Sequence, residues 1–188
     1  MRKLIYSGNT SLDGYIEDEN GSLDFTEPDD EVHRFWNQWV REAGASLMGR
    51  RLYEAMEPYW TDMAANPSGE PTTDEFARAW VETPRYVVSR TLDSVPDGLT
   101  LIKGDLETEV RSLKEAPGGH IDVGGADLAN SLAELDLIDE LMMVITPAIV
   151  GTGKPNFGPA FVKTAWKLSG TETFSSGALL VRYERDRS

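Results

Sequence analysis

The sequence predicts an α/β protein: a mixed, mostly parallel central sheet with flanking helices and a C-terminal antiparallel hairpin. Three observations carry this. Strand-like and helix-like segments alternate along most of the chain, the pattern of parallel strands joined by crossover helices. Leu141–Ile145 is a continuous apolar run, the mark of a strand buried on both faces. Trp166–Phe174 and Leu179–Tyr183 flank Ser175-Ser176-Gly177, which reads as a hairpin.

Taken in order, Lys3–Ser7 reads as the first strand, followed by a polar, glycine-punctuated excursion from Thr10 to Gly21. Pro28-Asp29-Asp30 opens a helix with carboxylates in its first turn. Val32, Phe35, Trp36, Trp39 and Val40 form its apolar stripe, and Gly44 ends it. Ala45–Met48 is a short strand leading into a helix expected from Leu52 to about Met56. Residues 61–73 read as the longest irregular stretch and the one linker candidate, too short to separate domains. Thr72-Thr73-Asp74-Glu75 has the form of a capping box for a helix carrying Phe76, Ala77, Trp80 and Val81. Arg85–Ser89 and Leu99–Lys103 are strands, and Leu106, Val110 and Leu113 mark a helix. His120–Val123 is a strand that runs through Gly124-Gly125 into a helix with Leu128, Leu132 and Leu135. The expected organisation is one domain over residues 1–188.

Composition narrows the chemistry. With 32 acidic and 18 basic residues the net charge is -14, which argues against nucleic-acid partners, since these need clustered Lys and Arg. The absence of Cys excludes disulfides, thiolate nucleophiles and cysteine metal sites, and two His make a multi-histidine metal centre improbable. No segment has the ~20 apolar residues of a membrane span. The N-terminus breaks off at Gly8-Asn9, short of a secretory apolar region, so a cytoplasmic location is expected.

Three strand-to-loop junctions share a chemical character. At Met48-Gly49-Arg50-Arg51 a glycine permits close backbone approach while two guanidiniums sit at a helix N-terminus, a good phosphate site; a turn glycine with two solvated arginines is the alternative. At Val88-Ser89-Arg90-Thr91, hydroxyls and an arginine at a strand end suit a phosphate monoester, or form a polar strand exit. At Val123-Gly124-Gly125-Ala126-Asp127-Leu128, a glycine pair lets a diphosphate sit on a helix N-terminus, a weak signal alone. Gly151-Thr152-Gly153-Lys154 lacks the flanking residues of a P-loop and reads as a loop. Together the three junctions suggest a dinucleotide lying across the sheet edge, with a 2′-phosphate met by arginine.

These segments, with Thr10-Ser11-Leu12-Asp13-Gly14-Tyr15-Ile16 and Leu137 through Gly153, resemble the dihydrofolate reductase superfamily, in the branch of the RibD C-terminal domain. The resemblance spans nearly the whole chain. It implies a dihydrofolate reductase-like fold, NADPH as cofactor and a small-molecule heterocyclic substrate. The activity implied is that of the 5-amino-6-(5-phosphoribosylamino)uracil reductase domain of riboflavin biosynthesis, or of a pteridine or dihydrofolate reductase.

Carried over, Gly49, Arg50 and Arg51 would hold cofactor phosphates. Ser89, Arg90 and Thr91 would take the 2′-phosphate. Gly124, Gly125, Ala126, Asp127 and Leu128 would serve the diphosphate, and Asn9 and Ile16 would border the nicotinamide. Asp13 is either a pocket carboxylate or an Asx-type turn residue before Gly14. His33, on the first helix, is a candidate proton donor or an exposed helix histidine. Trp36, Trp39 and Trp60 could stack on a planar substrate or serve as core. Val123 stands where this branch has Glu before the glycine pair, which motivates an alternative: a non-catalytic nucleotide- or flavin-binding module. A homodimer through the C-terminal strands and the Gly151–Phe161 loop is compatible with the sequence.

Overall fold

The structure, a computed structural model describing residues 1–188, is built on an eight-stranded sheet. Its strands are β1 (Leu4–Thr10), β3 (Ala45–Gly49), β4 (Arg85–Val88), β5 (Leu99–Ile102), β6 (Ile121–Gly124), β7 (Glu140–Ile145), β9 (Ala165–Thr173) and β10 (Leu179–Asp186). The order across the sheet is β5-β4-β3-β6-β1-β7-β10-β9. The first six neighbours pair in parallel, and β10 runs antiparallel to both β7 and β9. A separate two-stranded ribbon joins β2 (Tyr15–Asp18) to β8 (Gly153–Pro155). The fold class is the one expected.

Helices cover both faces. On one side α1 (Asp30–Glu42), α2 (Arg50–Ala65) and α3 (Pro71–Glu82) pack through Val32, Trp39, Val40, Phe76 and Trp80 onto Ile5, Met48, Val87 and Val144. On the other, α4 (Leu106–Glu115) and α5 (Ala126–Glu134) place Val110, Leu128 and Leu132 on Leu4, Leu47, Ile121 and Val123. The strand alternation explains the split, since successive side chains leave opposite faces of the sheet.

Two local expectations are corrected. The second helix does not stop near Met56; α2 runs through Pro58 to Ala65, so only residues 66–70 separate it from α3. Proline removes one helical N–H, but Trp60 packs on Phe76 at 4.4 Å and holds that turn against α3. The capping box does not form. Pro71 takes the first position of α3, and the Asp74 carboxylate instead accepts hydrogen bonds from the Ser68 and Gly69 backbone N–H groups. The β2–β8 ribbon went unrecognised because its strands are short and far apart in the chain.

Candidate functional site

Register brings the three junctions together. Gly49 at the end of β3 lies opposite Val88 of β4, and Met48 lies opposite Gly124 of β6. The carboxyl ends of these parallel strands therefore share one edge, the place where open α/β sheets bind ligands. The cleft there has two connected compartments, of about 900 Å3 and about 300 Å3. Ile16, Leu23, Leu52, Gly125 and Ala126 border both.

The larger compartment is cationic. Arg50, Arg51, Arg90, Lys103 and Lys154 line it against Glu17, Asp127 and Glu134, a positive excess in a chain of net charge -14. Two helices begin there. Both α2 and α5 have glycine at the N-cap, Gly49 and Gly125, and neither receives a side-chain cap. By contrast α1 and α4 are capped by the carboxylates of Asp29 and Asp105. The helix α3, opening with Pro71, also lacks a side-chain cap, but the two glycine-capped ends are the ones that face the cationic cleft, an arrangement suited to phosphates. Gly125 needs its glycine, since its φ of +98° is one that side chains rarely adopt. A Cβ at Gly124 would run into the Leu52 side chain, which walls the passage between compartments. The donor set and the glycine cradle fit a phosphorylated dinucleotide.

Ser89, Arg90 and Thr91 form the turn after β4. The Ser89 hydroxyl accepts the backbone N–H groups of Thr91 and Leu92, leaving the exposed Arg90 at the cleft. Thr91 does not line the cleft; it shapes the turn. Asp127 and Leu128 lie in the first turn of α5, with Leu128 buried in the core and the Asp127 carboxylate 2.6 Å from Lys154 Nζ. Arg51 lies 3.4 Å from Glu17 of β2. The ribbon is therefore tied to both glycine-capped helices by ion pairs.

The smaller compartment is apolar and aromatic. Trp36, Trp39, Trp60, Phe76 and Trp80 line it with Met48 and Met56, and Asn9 and His33 lie on its wall. Asn9 Oδ1 accepts the Trp36 indole N–H at 3.0 Å. Burial holds the His33 imidazole below its usual pKa, against a smaller opposing influence of Asp30.

The floor holds a carboxylate that sequence reasoning did not single out. Asp122, in β6, lines this compartment beside Ser7 and Ser46. Its Oδ1 accepts hydrogen bonds from the Ser7 hydroxyl and from the Trp39 indole N–H. Its Oδ2 takes no bond from the protein. Burial pushes this carboxyl up, and the two hydrogen bonds only partly offset that. The signal was available: Asp122 interrupts an otherwise apolar strand, Ile121-Asp122-Val123. The residue before the glycine pair drew notice instead, but Val123 is buried in the core on the opposite face.

Asp13 lies outside both compartments. Its carboxylate accepts the Ser11 hydroxyl and the backbone N–H groups of Val150 and Gly151, and these bonds hold it down to about 2. It clamps the loop before β8, a role that neither the pocket nor the Asx-turn reading anticipated.

Comparison with known proteins decides the family. The family model described as the RibD C-terminal domain matches residues 2–180. The chain belongs to that family. It is 29% identical to the uncharacterized protein YyaP of Bacillus subtilis (strain 168), over 97% of this chain and 95% of YyaP. A candidate riboflavin biosynthesis protein from Shewanella sp. PV-4 superposes with a TM-score of 0.78 at 24% identity, covering 98% of this chain and 99% of that one. Dihydrofolate reductase from Enterococcus faecalis, solved with NADP(H), gives a TM-score of 0.64 at 14% identity over 98% and 96% of the two chains. The RibD C-terminal family member thus has the dihydrofolate reductase-like fold. None of its helices is long and apolar enough to cross a membrane.

Proposed function

We propose that this protein is an NADPH-dependent oxidoreductase that reduces a small, flat nitrogen heterocycle. The observation that carries the reading is the junction of a cationic cleft, headed by two glycine-capped helices, with an aromatic chamber holding one carboxylate. Gly49, Arg50 and Arg51 would hold phosphates, as would the α5 N-terminus from Gly124 to Leu128. Ser89 and Arg90, in the turn that Thr91 completes, would take the 2′-phosphate. Asn9 and Ile16 would border the nicotinamide. The NADP(H) complex of the Enterococcus relative supports this choice of cofactor. When bound, NADPH supplies a hydride.

The remaining work belongs to the side chains. The tryptophans exclude water and fix the ring plane, and orientation of this kind accounts for much of a hydride enzyme's rate. Asp122 holds the proton. Its Oδ1 is pinned by Ser7 and Trp39, so Oδ2 is presented to the chamber, and a carboxyl with a raised pKa is suited to proton transfer near neutral pH. His33, depressed by burial, is the second candidate. Asp13 is left to its loop, because its oxygens already accept three protein hydrogen bonds.

A second reading, a nucleotide-binding module without turnover, rests on Val123 at the place where the family branch has an acid, although this side chain faces the core and not the chamber. One experiment separates the two. Saturating NADPH is expected to raise the thermal midpoint by several degrees under either, whereas oxidation at 340 nm on a panel of pterins and aminopyrimidines is expected only for the reductase. No NADPH shift contradicts both. The cytoplasm, with its NADPH pool, is the location this function calls for. Exposed Phe157 in the Gly151–Phe161 loop and Leu168 in the C-terminal strands offer apolar surface for a second copy.

A further inference from the structure

The distribution of charge between the compartments constrains the substrate. No Lys or Arg lines the aromatic chamber, and Asp122 is its one carboxylate. All five cations of the cleft lie in the other compartment, where the cofactor's phosphates would belong. Leu23, Thr26 and Pro28 line the chamber's other side, and the chain around them carries Asp24, Glu27, Asp29 and Asp30. Arg34 lies 3.6 Å from Asp30, an exposed pair on α1. A phosphate or carboxylate tail entering here would meet a buried acid and largely apolar walls, with His33, whose imidazole burial holds below its usual pKa, as the one basic group, which is costly.

The same walls favour the opposite sign. The negative faces of Trp36, Trp60 and Trp80 attract cations, and indole is the strongest of the aromatic side chains in this respect. Trp60 and Phe76 stand 4.4 Å apart with ring planes tilted by 49°, and both line the chamber as aromatic wall. Asp122 Oδ2, free of protein partners, is the open hydrogen-bonding atom at the floor, a donor while the carboxyl holds its proton and an acceptor once the proton has passed to the ring.

We infer that the chamber takes a neutral or cationic planar nitrogen heterocycle without an anionic tail, its ring nitrogen paired with Asp122 Oδ2. The inference rests on the reductase reading for the assignment of the two compartments. It separates this protein from a reductase of a phosphoribosylated pyrimidine, because a phosphate on the substrate has no partner in the chamber.

The chamber tryptophans provide a readout that needs no turnover. Full-length protein is saturated with NADP+ and titrated with 4-aminoquinazoline, a flat protonatable ring without an anion, while tryptophan fluorescence is followed. Saturable quenching is expected, and cytidine 5′-monophosphate at equal concentration should not displace the probe. Asp122→Asn is expected to weaken the probe by about tenfold to a hundredfold, the value of a hydrogen bond to a charged group. Absence of quenching, displacement by the nucleotide, or unchanged affinity in a folded Asp122→Asn protein overturns the inference. The nucleotide competition uses the unaltered protein, so it stands even if the variant does not fold. Calorimetric titration of NADP+ alone tells the two claims apart: no NADP+ binding sinks the reductase reading, whereas NADP+ binding without the expected probe behaviour sinks only the substrate class.

Discussion

At the scale of single residues, Asp122 and Gly124 bear most of the functional argument, two positions apart on one strand. Asp122→Asn keeps the shape and one acceptor oxygen for Ser7 and Trp39 but removes the transferable proton. It is expected to lower kcat/KM on an accepted heterocycle by about a hundredfold, typical for the loss of a general acid, with the NADPH dissociation constant unchanged. Steady-state kinetics beside a fluorescence titration of NADPH check both halves. Gly124→Val places a branched side chain against Leu52 and is expected to weaken NADPH binding while the fold survives, as read by circular dichroism. The glycine pair and the arginines were singled out in the sequence by their places after strands, a weak signal at each junction that gained weight only from the three taken together. Asp122 was not, because whether a strand residue faces a cavity or the core depends on register, and register is set by neighbours distant in the chain. The two readings of Asp13 stayed open in the sequence for a related reason. An aspartate before glycine is a turn residue in most settings, and only the position of Val150 and Gly151 shows what its carboxylate holds.

At the scale of elements, the parallel strands and the C-terminal hairpin followed from apolar runs and turn residues, while helix ends and the β2–β8 ribbon did not. The second helix was expected to end near Met56, yet α2 continues through Pro58 because tertiary packing on α3 outweighs one missing hydrogen bond. The two helices and β4 are also joined by a buried ion pair. Arg85 Nε lies 3.2 Å from Glu57 Oε2, which also accepts the Trp80 indole N–H at 2.9 Å. Both charged side chains are buried, so Glu57→Ala leaves Arg85 without compensation. A loss of about 3–5 kcal/mol in urea unfolding is expected. The ribbon makes a second prediction. Asp127→Asn keeps the backbone N–H at the start of α5 but releases Lys154 from its ion pair and removes a negative charge from the phosphate site. NADPH is expected to bind about twofold to fivefold more tightly, the value of an exposed pair.

At the scale of the whole molecule, an acidic protein concentrates its cleft cations at one sheet edge. That edge should therefore lose affinity for a phosphorylated ligand as salt rises, and binding at low and high ionic strength reads this directly. The protein's response to acid has a definite sign. His120 stacks on Trp39 with ring centroids 3.8 Å apart. Its pKa is pulled down to about 4, chiefly by burial; Glu42 opposes this, while Arg2 and Arg182 add to it. In the unfolded chain an imidazole takes up its proton near pH ~6.5. Between those values the unfolded state binds more protons, so stability falls as pH drops from about 6.5 to about 4. Asp122, raised by burial, contributes in the opposite direction. His120→Gln is expected to flatten the decline in thermal midpoint across that window.

The measurement that bears most directly on the whole account is a pair of titrations, NADPH and NADH, into the protein and into Arg90→Ala. The account predicts one site per chain, a clear preference for NADPH in the protein, and loss of that preference in the variant through weaker NADPH binding alone. Absence of binding, or a preference untouched by removing Arg90, would contradict it.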